Sequence, residues 1–291
     1  MSRYGLPYKG SKNKIAKRLI EFIPRTENFV DMMCGGASVS QCVKEHRPDT
    51  NVHLNDVDEQ LIEFLRLIDG NGWHGIEHFI SHDEFFRLKD SRFDVSVCFS
   101  FGNDRRTYLY SWNKEFLMWR LEDRLIKEGL PESYERFLKE KNKYRDVDVK
   151  YMRAVQRISS IFRFQERMHG KFASISCGTY FDYRFSDGMT PDNTVVYCDI
   201  PYRNTDSRQY SERFHHERFY WWVRNSRYVC VISEFSMPSD FVRVGEISRS
   251  DTCKPTNGKR DMTVEGLFVH RDKVREYERM MGSLPGSAAY A

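Results

Sequence analysis

The chain has 291 residues, 40% apolar and 30% charged, with a formal net charge of +4. These proportions exclude a disordered or fibrous protein and predict a folded core, in one large domain or one domain carrying an insertion. No apolar run reaches the roughly 20 residues of a membrane span, and Lys9, Lys12, Lys14, Lys17 and Arg18 crowd out the apolar core of a signal peptide.

Seven cysteines with no C-x-x-C pair point to reduced thiols in a cytoplasm-like compartment and argue against a cysteine zinc site.

In chain order, the pattern predicts a helix from about Ser11 to Phe22, with Ile15, Leu19 and Phe22 on one face and Pro24 closing it. A strand follows over 29–34, ending in Gly35 and Gly36, with a helix from Ala37. A second strand spans 51–56, and the next helix turns Leu61, Ile62, Leu65 and Ile68 inward. This β-α-β-α alternation predicts a parallel sheet. Residues 71–190 break it. Asp94 to Phe101 reads as a strand, while Trp112–Gly129 and Glu132–Lys143 read as long charged helices. His74, His78 and His82 recur every four residues, but Gly75 interrupts them and no carboxylate motif frames them, so no metal is expected.

Residues 149–171 hold six basic residues against the single acid Glu166, with Lys150, Arg153 and Arg157 at helical spacing. Such a face would track a phosphate backbone; a solvated helix surface would show the same pattern. Strands resume at 194–198 and 228–234, and 241–248 with 264–270 predict a terminal hairpin.

The most telling stretch is Val195 to Tyr202. Strand residues deliver Asp199, Ile200, Pro201 and Tyr202 into a turn, and strand ends of this kind carry the chemistry of open α/β sheets. The Asp199 carboxylate and the Ile200 carbonyl are two acceptors for an amino group. Pro201 fixes its φ, and Tyr202 offers a stacking ring. An ordinary strand and turn could contain the same residues. Gly35 and Gly36 let backbone approach a ligand closely. Asp56, 20 residues beyond Gly36, suits ribose hydroxyls. The turn Cys34 to Ser38 lacks the full G-x-G-x-x-G spacing of a dinucleotide site. A lysine near a helix start opposes the helix dipole, so Lys12 is expected to meet a carboxylate. Tyr8 suits packing on an adenine ring, unless this is simply a solvated basic N-terminus.

Together these segments resemble the Dam-type DNA adenine-N6 methyltransferases, phage members included. The matching stretches are Y-K-G-S-K (8–12), F-V-D-M-M-C-G-G-A-S (29–38), N-D-V-D (55–58), C-D-I-P-Y (198–202) and S-E-F-S-M-P (233–238), in the family's order. They cover roughly residues 5–70 and 193–270, with looser likeness at Ser100–Asn103 and Tyr180–Arg184.

The resemblance implies an α/β fold: a Rossmann-like S-adenosylmethionine-dependent methyltransferase sheet with a mostly helical inserted domain. Residues 1–70 plus 191–275 would form the catalytic domain, 71–190 the target-recognition insertion, and 276–291 a flexible tail. The implied donor is S-adenosyl-L-methionine and the acceptor is N6 of a flipped-out adenine in double-stranded DNA. No metal or membrane is involved. The setting would be the cytoplasm of a bacterium or a phage-infected host, in restriction-modification or another role. The implied cofactor contacts are Tyr8, Lys12, Asp31, Gly35, Gly36, Asp56 and Asp199. Asp199 to Tyr202 correspond to the D-P-P-Y catalytic motif, and Arg105, Arg106, Arg153 and Arg157 are candidate DNA contacts. Two residues depart from the family pattern. Ile200 replaces a proline, and Ala37 replaces a glycine, which is tolerable if Ala37 opens its helix with negative φ. They leave a weakened or inactive DNA-binding protein as one alternative; an RNA adenine methyltransferase is another.

Overall fold

The computed structural model describes residues 4–76, 78–111, 153–202, 214–250 and 262–282. Its strands are β1 (Asn28–Asp31), β2 (Asn51–Asp56), β3 (Phe172–Cys177), β4 (Thr194–Asp199), β5 (Val229–Glu234), β6 (Phe241–Ser250) and β7 (Met262–His270). Its described helices are α1 (Ala16–Leu19), α2 (Ser38–His46), α3 (Glu59–Asp69), α4 (His82–Leu88), α5 (Phe93–Cys98), α6 (Arg153–Met168), α7 (His216–Arg224) and α8 (Val274–Gly282). The chain divides into two compact units, Lys12–Asp58 with Lys171–Ala291, and Met1–Ser11 with Glu59–Gly170.

The first unit holds the whole sheet, in the order β3-β2-β1-β4-β5-β7-β6. Strands β1 to β5 run parallel, and β7 lies antiparallel between β5 and β6. Every residue of β1 and β5 is buried, and all of β4 but its last. Such continuous burial is what a sheet covered on both faces requires, and it explains the consecutive apolar residues at the centres of these strands. Met32, Val196, Cys198, Ile200, Phe219, Tyr220, Ile232 and Phe268 pack into one core beneath α7.

The second unit is helical among its described residues. Leu61, Ile62, Leu65 and Ile68 of α3 are buried, as their spacing predicts. Trp73 anchors this unit: its indole N–H donates to Asp94 Oδ2 at 3.0 Å, and its main chain exchanges two hydrogen bonds with the Gln165 amide. Ser81 and Glu84 form a capping box at the start of α4.

Several expectations are corrected. Asp94–Phe101 is not a strand; Phe93–Cys98 forms α5, with all six residues buried. A short apolar run has no periodicity that separates a buried helical turn from a buried strand. Residues 172–177, placed in the insertion, are β3 at the sheet edge, where half-exposure and small polar residues weaken the strand pattern. Residues 276–282 are not a loose tail but part of α8, whose Tyr277 hydroxyl donates to the Phe22 carbonyl at 2.9 Å. The first helix is short, α1 followed by a 3-10 turn over Ile20–Phe22. His74 and His78 lie on irregular backbone before α4, so the three histidines share no helix face. The expected helices at Trp112–Gly129 and Glu132–Lys143, and Lys150, lie outside the described residues. Among the described residues, no helix is long and apolar enough to cross a membrane.

Candidate active site

Four parallel strands end in an acid: β1 in Asp31, β2 in Asp56, β4 in Asp199 and β5 in Glu234. The register sets Asp31 beside Leu54 and Tyr197, and Asp199 beside Ser233, so the four acids line the carboxyl edge of the sheet. Open α/β sheets bind ligands along this edge.

At its centre lies Lys12, only 4% exposed. The Lys12 ammonium donates to Asp199 Oδ1 at 2.5 Å and to the Tyr202 hydroxyl at 2.8 Å, and lies 3.3 Å from Glu265 Oε1. Burial alone would lower the Lys12 pKa. Asp199, Glu265 and Tyr202 outweigh that and hold it well above the ordinary lysine value. The expected carboxylate partner of Lys12 is therefore Asp199, which keeps 22% exposure. Tyr202 is half-buried, with its ring 4.3 Å from Phe235. The Pro201 carbonyl is held by the His216 imidazole at 2.8 Å. Ile200 turns its side chain into the core, so isoleucine supplies packing where the family has a proline ring.

The glycine turn is tied to β2. Gly35 N donates to Asp56 Oδ2 at 2.9 Å, and Asp58 N donates to Oδ1 at 3.1 Å. With Val57 N as a further backbone donor, the carboxylate still keeps acceptor capacity for a ligand. Burial raises the Asp56 pKa against these backbone bonds. Gly35 adopts φ 46°, and Gly36 is buried beside it. Ala37 corrects an expectation: it opens α2 at φ 54°, in the left-handed region, and not with negative φ. Ser40 Oγ donates to Asp31 Oδ2 at 2.5 Å, while Asp31 Oδ1 is buried with no hydrogen bond among the described residues. Burial raises the Asp31 pKa to about 7, against the Ser40 bond and with help from Asp199 and Asp56.

The remaining expected residues lie in the helical unit. Tyr8 is stacked on Phe93 with ring centroids 6.4 Å apart. Arg157 is turned inward: its Nη1 donates to the carbonyls of Val97, Cys98 and Ser100 at 2.7–3.2 Å. Arg105 donates to the Gln60 side chain and lies over the Phe93 ring at 5.0 Å. These two arginines brace their own unit, whereas Arg106 and Arg153 are exposed.

Glu265, Phe235, His216 and Ser40 were not foreseen. Glu265 alone left a signal, a charged residue inside an apolar strand.

The family model for the D12 class N6 adenine-specific DNA methyltransferases matches residues 8–221. A solved structure of a candidate methylase from Haemophilus influenzae aligns with 88% of this chain and 86% of its own, at 7% identity and a TM-score of 0.33, too distant to fix any residue's role.

Proposed function

The chain belongs to the D12 class of N6 adenine-specific DNA methyltransferases, and we propose that it uses S-adenosylmethionine to methylate adenines flipped out of double-stranded DNA. The observation that carries this reading is the Asp199–Lys12–Tyr202 cluster at the end of β4, where a partly exposed carboxylate is held in place by a buried ammonium. Exocyclic N6 of adenine is a poor nucleophile because its lone pair is delocalised into the ring. Asp199 and the Ile200 carbonyl would accept its two N–H bonds, favouring a pyramidal nitrogen whose lone pair is available. Lys12 fixes both Asp199 and Tyr202 before substrate arrives, so little reorganisation is left for the reaction itself. The Tyr202 and Phe235 rings offer the flipped base an aromatic surface; unstacking it from the duplex costs a few kcal/mol.

The acceptor-rich edge of the sheet suits the methyl donor, which carries an ammonium, ribose hydroxyls and a cationic sulfur. Asp31 Oδ1, the spare lone pairs of Asp56 and the Gly35–Gly36 turn would hold it. When bound, S-adenosylmethionine supplies an electrophilic methyl group on a sulfonium centre. Arg106 and Arg153 would contribute phosphate contacts from the target-recognition insertion.

The test is incubation with methyl-labelled S-adenosylmethionine and mixed-sequence duplex DNA or RNA, then digestion to nucleosides. We expect label in N6-methyldeoxyadenosine, and its loss by at least about a hundredfold in Asp199→Ala. Labelling of RNA alone, or an unimpaired Asp199→Ala enzyme, would overturn the proposal.

A further inference from the structure

Glu265 lies on β7, well past residue 221 where the family match ends. Because β7 is antiparallel to β5, pairing Glu234 with Gly266, Glu265 falls one residue beyond the carboxyl end of β5. It is fully buried, its Oε1 lies 3.3 Å from the Lys12 ammonium, and neither of its carboxylate oxygens has a hydrogen bond among the described residues. Removing a carboxylate from water is costly unless a countercharge compensates it. Lys12 already faces Asp199 at 2.5 Å, so one ammonium is shared by two carboxylates. A purely structural tie would need only one acid, and Lys12 with Asp199 would form a neutral pair. When both acids are ionised the cluster carries one negative charge in excess, which a cationic ligand can offset.

We infer that Glu265 is a positioning residue that shares Lys12 with Asp199 and sets the charge of the donor site, favouring the sulfonium of S-adenosylmethionine over the neutral thioether left after transfer. This rests on the donor assignment made above. Discrimination between donor and product follows from charge at the sulfur, the one atom where the two differ in charge.

Calorimetric titration of the full chain with S-adenosylmethionine and with S-adenosylhomocysteine tests it. In Glu265→Gln, which keeps shape and loses charge, donor affinity should fall about tenfold more than product affinity. Glu265→Asp should restore most of that difference. A folded Glu265→Gln protein in which both ligands weaken equally, or neither weakens, overturns the inference and leaves the donor assignment standing. Wild-type protein that binds neither ligand overturns the donor assignment, and the inference with it. Should Glu265→Gln show no cooperative melt, wild-type protein decides. It should bind the donor, and an analogue with an amine in place of the sulfonium, more tightly than the thioether; the reverse order overturns the inference.

Discussion

At Asp31 the fold holds a carboxyl group where ionising it is unfavourable, with its pKa raised to about 7 chiefly by burial. The sign of the effect on stability follows from linkage. Below about pH 4 the group is protonated whether the chain is folded or unfolded, and it contributes nothing. As pH rises, the unfolded chain loses the proton first, so the folded state is progressively disfavoured until Asp31 itself ionises near neutrality. Asp31→Asn does not titrate. Its stability advantage over the wild type should therefore grow between pH 5 and 7 and level off above, reaching at most about 4 kcal/mol at about 1.4 kcal/mol per pH unit. Denaturant melts across that range measure it; an advantage that shrinks with rising pH contradicts the assignment. Ala37 stores strain of a different kind, since its left-handed φ of 54° costs an L-residue about 1–2 kcal/mol. The family's glycine at this position has a backbone reason, visible only once φ is known.

Helix α6 shows that the residues of one basic stripe need not face the same way. Its spacing reads as one uniform face, phosphate-tracking or merely solvated, yet Arg157 closes the last carbonyls of α5 while Arg153 is exposed. Orphan carbonyls at a helix end need donors, and the guanidinium supplies several in fixed geometry. Arg157→Ala should cost about 2 kcal/mol or more in stability and leave the salt dependence of DNA binding unchanged. Arg153→Ala should leave the melt unchanged, and Arg106→Ala and Arg153→Ala should each lower the log–log salt slope by about one. A reduced slope in Arg157→Ala at unchanged stability would reverse these roles. Spacing could not separate the arginines, because it shows which face a residue occupies but not which carbonyls end nearby. The same blindness to tertiary partners hid the helical state of 93–98 and the edge strand at 172–177.

Across the whole molecule, what was legible in the sequence was the sheet's parallel heart. β1, β2, β4 and β5 are short segments that each end in an acid, and the Lys12–carboxylate meeting followed from a cation misplaced at a helix start. What stayed hidden were pairings set by strand order, above all Glu265, which nears Lys12 only because β7 enters antiparallel beside β5. That order also makes the last quarter of the chain indispensable, although the family match stops at residue 221. Ending the chain after Ser226 would remove β5, β6, β7 and α8, and with them Cys230, Ile232, Phe241 and Phe268 from the core. It would also leave β4, buried at all but its last residue, as a bare apolar edge, which invites pairing with other chains. Losing several large buried side chains at a few kcal/mol each exceeds the about 5–15 kcal/mol that typically holds a domain folded. The truncated protein should show no cooperative thermal transition and should aggregate; a sharp melt from a soluble monomer would mean that the sheet folds without its antiparallel strand.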